Sequence, residues 1–300
     1  MIEREWLTSD APQAMLRLFH LDADNPTVAG YYASERQLRL FACACCRQVW
    51  NKLVDVVPCE RCRGYGIIPS NALRHQAAGQ ECYSCSGTGH INRSQRAVEV
   101  AERYADGEAT QDEMYTAGCG TTEGGAWVVT VRDAADAARH VTLDGMFRDM
   151  RPTQAALLRD IFGNPFRPIT RYGKCDKCHG SGKLTHQVDD GDGLYVPIKH
   201  YCPDCLGNGK QDKWSDWLTL NDGLIRKIAQ AIYEERRFED MPVLADALQE
   251  AGCENADILN HCRGWGLVQA SPGKGMVWRR GVATTHVRGC WVIDLLLGKE

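Results

Sequence analysis

Cys59-Glu-Arg-Cys62-Arg-Gly64-Tyr-Gly66 is the stretch from which the rest of the chain is read. Two residues between the cysteines let a tight turn aim both sulfurs at one ion. The glycines supply backbone conformations closed to other residues and keep side chains out of a crowded turn. The pattern Cys-x-x-Cys-x-Gly-x-Gly returns as Cys82-Tyr-Ser-Cys85-Ser-Gly87-Thr-Gly89, as Cys175-Asp-Lys-Cys178-His-Gly180-Ser-Gly182 and as Cys202-Pro-Asp-Cys205-Leu-Gly207-Asn-Gly209. Two such knuckles make a tetrahedral four-sulfur site, which suits structural Zn²⁺ with no open coordination position. Free or disulfide-bonded cysteines and an iron–sulfur cluster are the alternatives; four matches with paired spacing favour zinc.

The spacings predict which knuckles pair. Nineteen residues separate Cys62 from Cys82 and 23 separate Cys178 from Cys202, whereas 89 separate Cys85 from Cys175. Loop closure favours local pairing over the 89-residue loop by only about 1–1.5 kcal/mol. Helices in the intervening segment argue more strongly against bringing the two blocks side by side. Two zinc ions per chain are therefore expected, one on Cys59, Cys62, Cys82 and Cys85 and one on Cys175, Cys178, Cys202 and Cys205. Each block is too small for a core of its own, so the metal supplies its folding free energy, on the order of 10–16 kcal/mol in comparable peptides. Arg61, Arg63 and Arg74 near the first site, and Lys174, Lys177 and Lys183 near the second, either offset its charge or are simply solvated.

Composition sets the surroundings. The chain has 300 residues, 44% hydrophobic and 25% charged, with a net charge of −4. That balance argues against a dedicated duplex-DNA binder. No apolar run is long enough to span a membrane, and Met1-Ile-Glu-Arg-Glu-Trp-Leu lacks the apolar core of a signal peptide. Fifteen cysteines, an odd number without a secretion signal, point to reduced thiols and a cytoplasmic protein.

Outward from the cysteine blocks the chain reads as helices. Short helices are expected at 10–20 and 257–261, and a longer one opens at Ser34, with Gln37 completing a capping box. Its stripe runs from Leu38 to Leu53, and Pro58 stops it. Further helices are read at 94–106, at 110–118 from Thr110 and Glu113, at 126–141 despite the Trp127–Val131 run, at 153–162, from a cap at Asn221, and from Asp240 to Gly252. Residues 263–287 look like a loop or hairpin, and the apolar tail from Cys290 like a docking helix. The expected fold class is mainly α: a discontinuous helical domain (1–57, 91–173 and 211–300) with two inserted β zinc-ribbon modules (58–90 and 174–210).

The four repeats resemble the cysteine-rich zinc finger of DnaJ-type (Hsp40) co-chaperones, in which such motifs bind two zincs and help to hold unfolded polypeptide. The likeness covers about 70 of the 300 residues. It departs from the family in that the motifs sit in two separate blocks and no His-Pro-Asp tripeptide occurs. It implies zinc at the eight cysteines and, more weakly, peptide binding; no Hsp70-stimulating role carries over. The helical remainder resembles an uncharacterised bacterial domain family through Arg39-Leu-Phe-Ala-Cys-Ala-Cys-Cys-Arg47, Arg96–Gly107, Leu158–Pro168 and Val287–Gly298. That likeness implies that the blocks are inserts but brings no function.

Weaker signals complete the reading. Cys43 and Cys46 have redox-motif spacing but lie mid-helix, where core packing is the plainer explanation. Cys262-Arg-Gly264-Trp-Gly266 repeats half a knuckle without its first cysteine, and could be completed only by His261, His286 or Cys290. Asp189-Asp-Gly-Asp-Gly193 fails as a calcium loop because Val188 falls at the first ligand position. Arg263, Arg279, Arg280, Arg288, Trp265, Trp278 and Trp291 could grip single-stranded nucleic acid or form a structural hairpin. The leading expectation is a zinc-binding, non-catalytic interaction protein whose partner is a polypeptide. A nucleic-acid-binding ribbon protein and a thiol redox enzyme are the alternatives.

Overall fold

The computed structural model describes residues 1–19, 33–68, 80–119, 129–169, 172–189, 191, 194–212, 215–269, 276–280 and 285–299. Helices predominate, and every strand pair is a two-stranded antiparallel sheet. The fold is thus mainly α with small β modules. The chain divides into two compact units, one of residues 1–166, 264–294 and 299–300, the other of residues 167–263 and 295–298.

The first unit is organised around α3 (Glu35–Gln48). Ser34 accepts from the Gln37 N–H while Gln37 Oε1 accepts from the Ser34 N–H, so the capping box forms as the sequence implies. Every residue from Leu38 to Cys46 is buried. Such a helix needs partners all round. It packs against α4 (Arg93–Ala105), α6 (Ala134–Leu143) and α7 (Arg151–Phe162). Small side chains allow close approach: Ala42, Cys43, Cys45 and Cys46 share one core with Ala134, Ala137 and Ala138. The core also holds Trp6 of α1 (Glu3–Thr8) and Met15 of α2 (Pro12–Leu16). Thr110 and Glu113 form the second capping box, opening α5 (Gln111–Gly118). Asp106, its side chain fully buried, gathers Arg36, Arg288 and Lys299 at 3.0, 3.6 and 3.7 Å.

In the second unit, α8 (Ser215–Glu235), α9 (Met241–Glu250) and α10 (Ala256–Cys262) pack in sequence. Their core includes Ile225, Ile232, Leu244, Leu248 and Ile258. Asn255 caps α10 through the Asp257 and Ile258 N–H groups.

Several expected boundaries move. The helix from Ser34 ends at Gln48 and gives way to a 3-10 turn at Trp50–Lys52, well before Pro58, though Val49 and Leu53 remain buried. Of the helix expected over 126–141, residues 129–133 do not join α6, and 120–128 lie outside the described residues. The buried Arg39 guanidinium takes the Val129, Val131 and Arg132 carbonyls, and Asp133 caps the helix on the Ala135 and Asp136 N–H groups. A long-range contact thus overrides local periodicity. Asn221 is not a cap: with Asp222 and Gly223 it lies at positive φ, breaking α8 into two stretches. α1 has no counterpart in the expectations, its six residues being too short for a period to show. The 263–287 segment contains a hairpin, β9 (Trp265–Gln269) with β10 (Met276–Arg280), and the tail is α11 (Trp291–Leu297).

Candidate metal centres

The first ribbon belongs to the first unit. β1 (Val56–Pro58) pairs with β4 (His90–Asn92), and β2 (Ile67–Ile68) pairs with β3 (Gln80–Glu81). A knuckle sits between each outer and inner strand. At the base, Asn92 caps α4 and donates to the Leu53 carbonyl, and Arg93 pairs with Asp55 at 3.0 Å. The knuckles lock to each other through two reciprocal bonds: Cys59 N–H donates to Gly89 O and Cys82 N–H to Gly66 O, at 2.7 and 2.8 Å. Close approach explains the last glycine of each motif. A Cβ on Gly66 would sit 2.1 Å from the Gly87 carbonyl oxygen, and one on Gly89 2.2 Å from that of Gly64.

The second ribbon, in the second unit, repeats this plan. β5 (Tyr172–Lys174) pairs with β8 (Lys210–Asp212), and β6 (Lys183–Asp189) pairs with β7 (Tyr195–Tyr201). Cys175 N–H donates to Gly209 O and Cys202 N–H to Gly182 O, both at 2.9 Å.

The structure gathers Cys59, Cys62, Cys82 and Cys85 in one buried cluster and Cys175, Cys178, Cys202 and Cys205 in another, following the local pairing. A tetrahedron of Zn–S bonds of about 2.3 Å has sulfur–sulfur edges of about 3.8 Å. The separations are 3.9 Å for Cys59–Cys82 and 3.7 Å for Cys62–Cys85. Cys175–Cys202 and Cys178–Cys205 are both at 3.7 Å. Each second cysteine also receives a backbone N–H, from Gly66, Gly89, Gly182 and Gly209, at 3.2–3.3 Å. Such bonds favour thiolates and orient the sulfurs within the folded ribbon. All fifteen cysteines are free of disulfides. Spacing, burial and donor set fit two structural Zn²⁺ ions.

In each cage the electrostatics hold one thiol near neutrality and push another up. Burial pushes the Cys62 thiol up, but hydrogen bonds from the Gly66 N–H, from Cys85 and Cys59 and from the Gly64 N–H outweigh it and hold it at about 7. Cys178 is held at about 7 by the same balance, with Gly182 in the place of Gly66. Their neighbours Cys85 and Cys202 are pushed up to about 11, burial again being the largest cause. A metal-bound cage has all four sulfurs deprotonated, so loading releases protons.

Three features of the knuckles escape the motif as read. The residue after each second cysteine, Arg63, Ser86, His179 or Leu206, is itself at positive φ. Arg61 lies over the Tyr83 ring at 3.9 Å, tying one knuckle of the first ribbon to the other. Lys177 pairs with Asp204 at 2.8 Å to do the same in the second ribbon. Arg61 and Lys177 thus have specific partners and Lys183 lies 6.0 Å from the centre of the Tyr201 ring, whereas Arg74 lies outside the described residues.

The weaker candidates resolve differently. Cys43, Cys45 and Cys46 are fully buried, and burial pushes their thiols well above the usual value. Reactive cysteines need the opposite setting. Arg263 pairs with Asp246 at 2.9 Å, and Arg288 faces Asp106. The Trp291 ring lies where a Cβ on Gly163 would be 3.3 Å away. The side chains of Trp278, Arg279 and Arg280 lie outside the description, as do Asp190, Asp192 and Gly193 of the acidic turn. Among the described residues no helix is long and apolar enough to cross a membrane. No family model, curated protein or solved structure matches the chain.

Proposed function

We propose that this protein is a non-catalytic zinc-ribbon binding module that holds extended or unfolded polypeptide in a chaperone-like way. The observation that carries the reading is the surface of the second ribbon. Tyr195 and Tyr201, on one face of β7 in a short hairpin that has no core of its own, are 64 and 72% exposed, with Ile198 on the other face at 45% and Leu206 in the following knuckle at 89%. Side chains of that size left in water mark interaction surfaces more often than chance when they cluster. Closed four-sulfur cages give the hairpin a rigid base without offering an open metal position for catalysis. The likeness of the repeats to the DnaJ-type finger points the same way. Tyr65 and Tyr83 on the first ribbon, 79 and 70% exposed, extend the same chemistry.

A titration of the whole zinc-loaded protein with a reduced, carboxymethylated, permanently unfolded polypeptide tests this. Saturable binding that weakens about tenfold in Tyr201→Ser/Leu206→Ser, with zinc content unchanged, is the expected result. No binding, or binding indifferent to those two residues, overturns it. Single-stranded RNA serves as the second titrant. Binding to RNA alone, weakening steeply with salt, would favour the nucleic-acid reading instead.

A further inference from the structure

A third convergence of ligating side chains lies in the first unit and shares no residue with either cage. Asp160 is on α7, 4% exposed; His286 and Cys290 are on the turn leading into α11, and Cys290 is fully buried. His286 Nδ1 stands 2.7 Å from Asp160 Oδ1 and 3.9 Å from Cys290 Sγ, and all three ligand atoms lie within 4.8 Å of one another. Backbone bonds aim them. The second Asp160 oxygen accepts from the Val287 N–H at 2.9 Å, and the Cys290 N–H donates to the Val287 carbonyl at 2.9 Å. That turn brings residues four apart to the same side, facing the carboxylate.

We propose that Asp160 Oδ1, His286 Nδ1 and Cys290 Sγ are ligands of a third zinc ion, independent of the ribbons. One oxygen, one imidazole nitrogen and one sulfur form a donor set suited to Zn²⁺. Bonds of about 2.0–2.3 Å to these atoms give edges of about 3.3–3.6 Å in a tetrahedron. The present 2.7 and 3.9 Å separations fall on either side of that range, so small shifts suffice. Charge also balances: a carboxylate and a thiolate neutralise the dication, which matters where a buried unpaired charge is costly. On binding, the imidazole takes its Nε2–H form and the thiol gives its proton to solvent, so uptake strengthens as pH rises. The ion would bridge α7 to the entry of α11, elements far apart in the chain. The competing explanation is a metal-free one, in which Asp160 merely hydrogen-bonds the turn.

Zinc per chain in the full-length protein, purified with zinc and read by native mass spectrometry, separates the two. Three ions are expected in the wild type and two in Cys290→Ala. Two in the wild type with both ribbons loaded, or three in both proteins, overturns the site. Cys62→Ser/Cys178→Ser removes one ligand from each ribbon, so the zinc it retains reports this site whether or not the ribbon assignment holds. One ion is expected there, and none overturns the proposal. Adding Asp160→Asn, which keeps the acceptor for the Val287 N–H, should weaken retention by more than the roughly 10–100-fold that loss of a supporting contact costs. Unchanged retention overturns the role of Asp160.

Discussion

The two ribbons share a backbone and differ in what they show to solvent. Both place Cys-x-x-Cys-x-Gly-x-Gly knuckles face to face, with the same reciprocal amide bonds and the same glycine-to-carbonyl approach. Beyond the cage they diverge. Among the described residues, the inner strands of the first ribbon pair over two residues and those of the second over seven. The first ribbon latches its knuckles with Arg61 over Tyr83, the second with Lys177 and Asp204. What recurs is what the metal needs; what varies lies outside the cage. The place to look for a partner is therefore the variable part.

The comparison can be broken most forcefully at the sulfurs. Cys62→Ser should cost the first ribbon its zinc, on the order of the 10–16 kcal/mol that such sites supply, and leave the second loaded. Native mass spectrometry reads this as one ion fewer, while circular dichroism should report the helices unchanged. Loss of all helical signal would mean that the first ribbon and the helices fold as one.

Next come the glycines, which test whether the shared backbone is set by conformation or by contact. Gly66 and Gly64 both have positive φ, at 73 and 86°, yet a Cβ at Gly64 meets only the Pro58 Cβ at 3.7 Å. Gly64→Ala should therefore cost only the left-handed penalty of about 1–2 kcal/mol. Gly66→Ala adds a backbone collision and should release zinc to a chelator far faster. Gly182→Ala, facing the Gly207 carbonyl at 2.2 Å, should behave as Gly66→Ala does in its own ribbon. Equal effects at Gly64 and Gly66 would refute the close-approach argument.

Acid should separate the ribbons from the helical core of the first unit. Lowering the pH protonates thiolates and strips the cages. Asp294 works in the opposite direction. Burial pushes its carboxyl up to about 6 from the usual 3.8, against the pull of Arg36. The folded chain therefore holds that proton more tightly than the unfolded one. This contribution is complete below the unfolded value and is lost as pH rises through about 6. A rise of that size is equivalent to about 3 kcal/mol at most. Urea midpoints followed by helical signal should fall between about pH 4.5 and 7, and Asp294→Asn should flatten that slope. An unchanged slope would exclude Asp294 as its source.

The smallest effects sharpen the contrast between the latches. Arg61→Ala and Lys177→Ala should each have only a small effect on stability, because both contacts are on the surface. Only the Lys177–Asp204 pair should weaken markedly with added salt. Chelator-driven zinc release at low and high ionic strength distinguishes them, and equal salt sensitivity would contradict the assignment.

Much of this was legible because it is local. The Ser34–Gln37 and Thr110–Glu113 boxes form where a three-residue spacing places them, and the cages follow from loops of nineteen and 23 residues. The misplaced start of α6 has a long-range cause: Arg39, some ninety residues upstream, takes the carbonyls that would have extended the helix. The break at Asn221 has no such signature, since asparagine serves both as a cap and in the left-handed conformation.

By itself the sequence determined the metal chemistry: eight cysteines, their pairing and the glycines that let two turns touch, all encoded within stretches of a few dozen residues. Tertiary structure alone decided which side chains latch each ribbon and that Asp160 meets His286 and Cys290, while it bears out the core packing read for Cys43 and Cys46. The latches depend on how two knuckles face each other and the Asp160 contact on how a helix and a distant turn pack, and the motif spacing records neither.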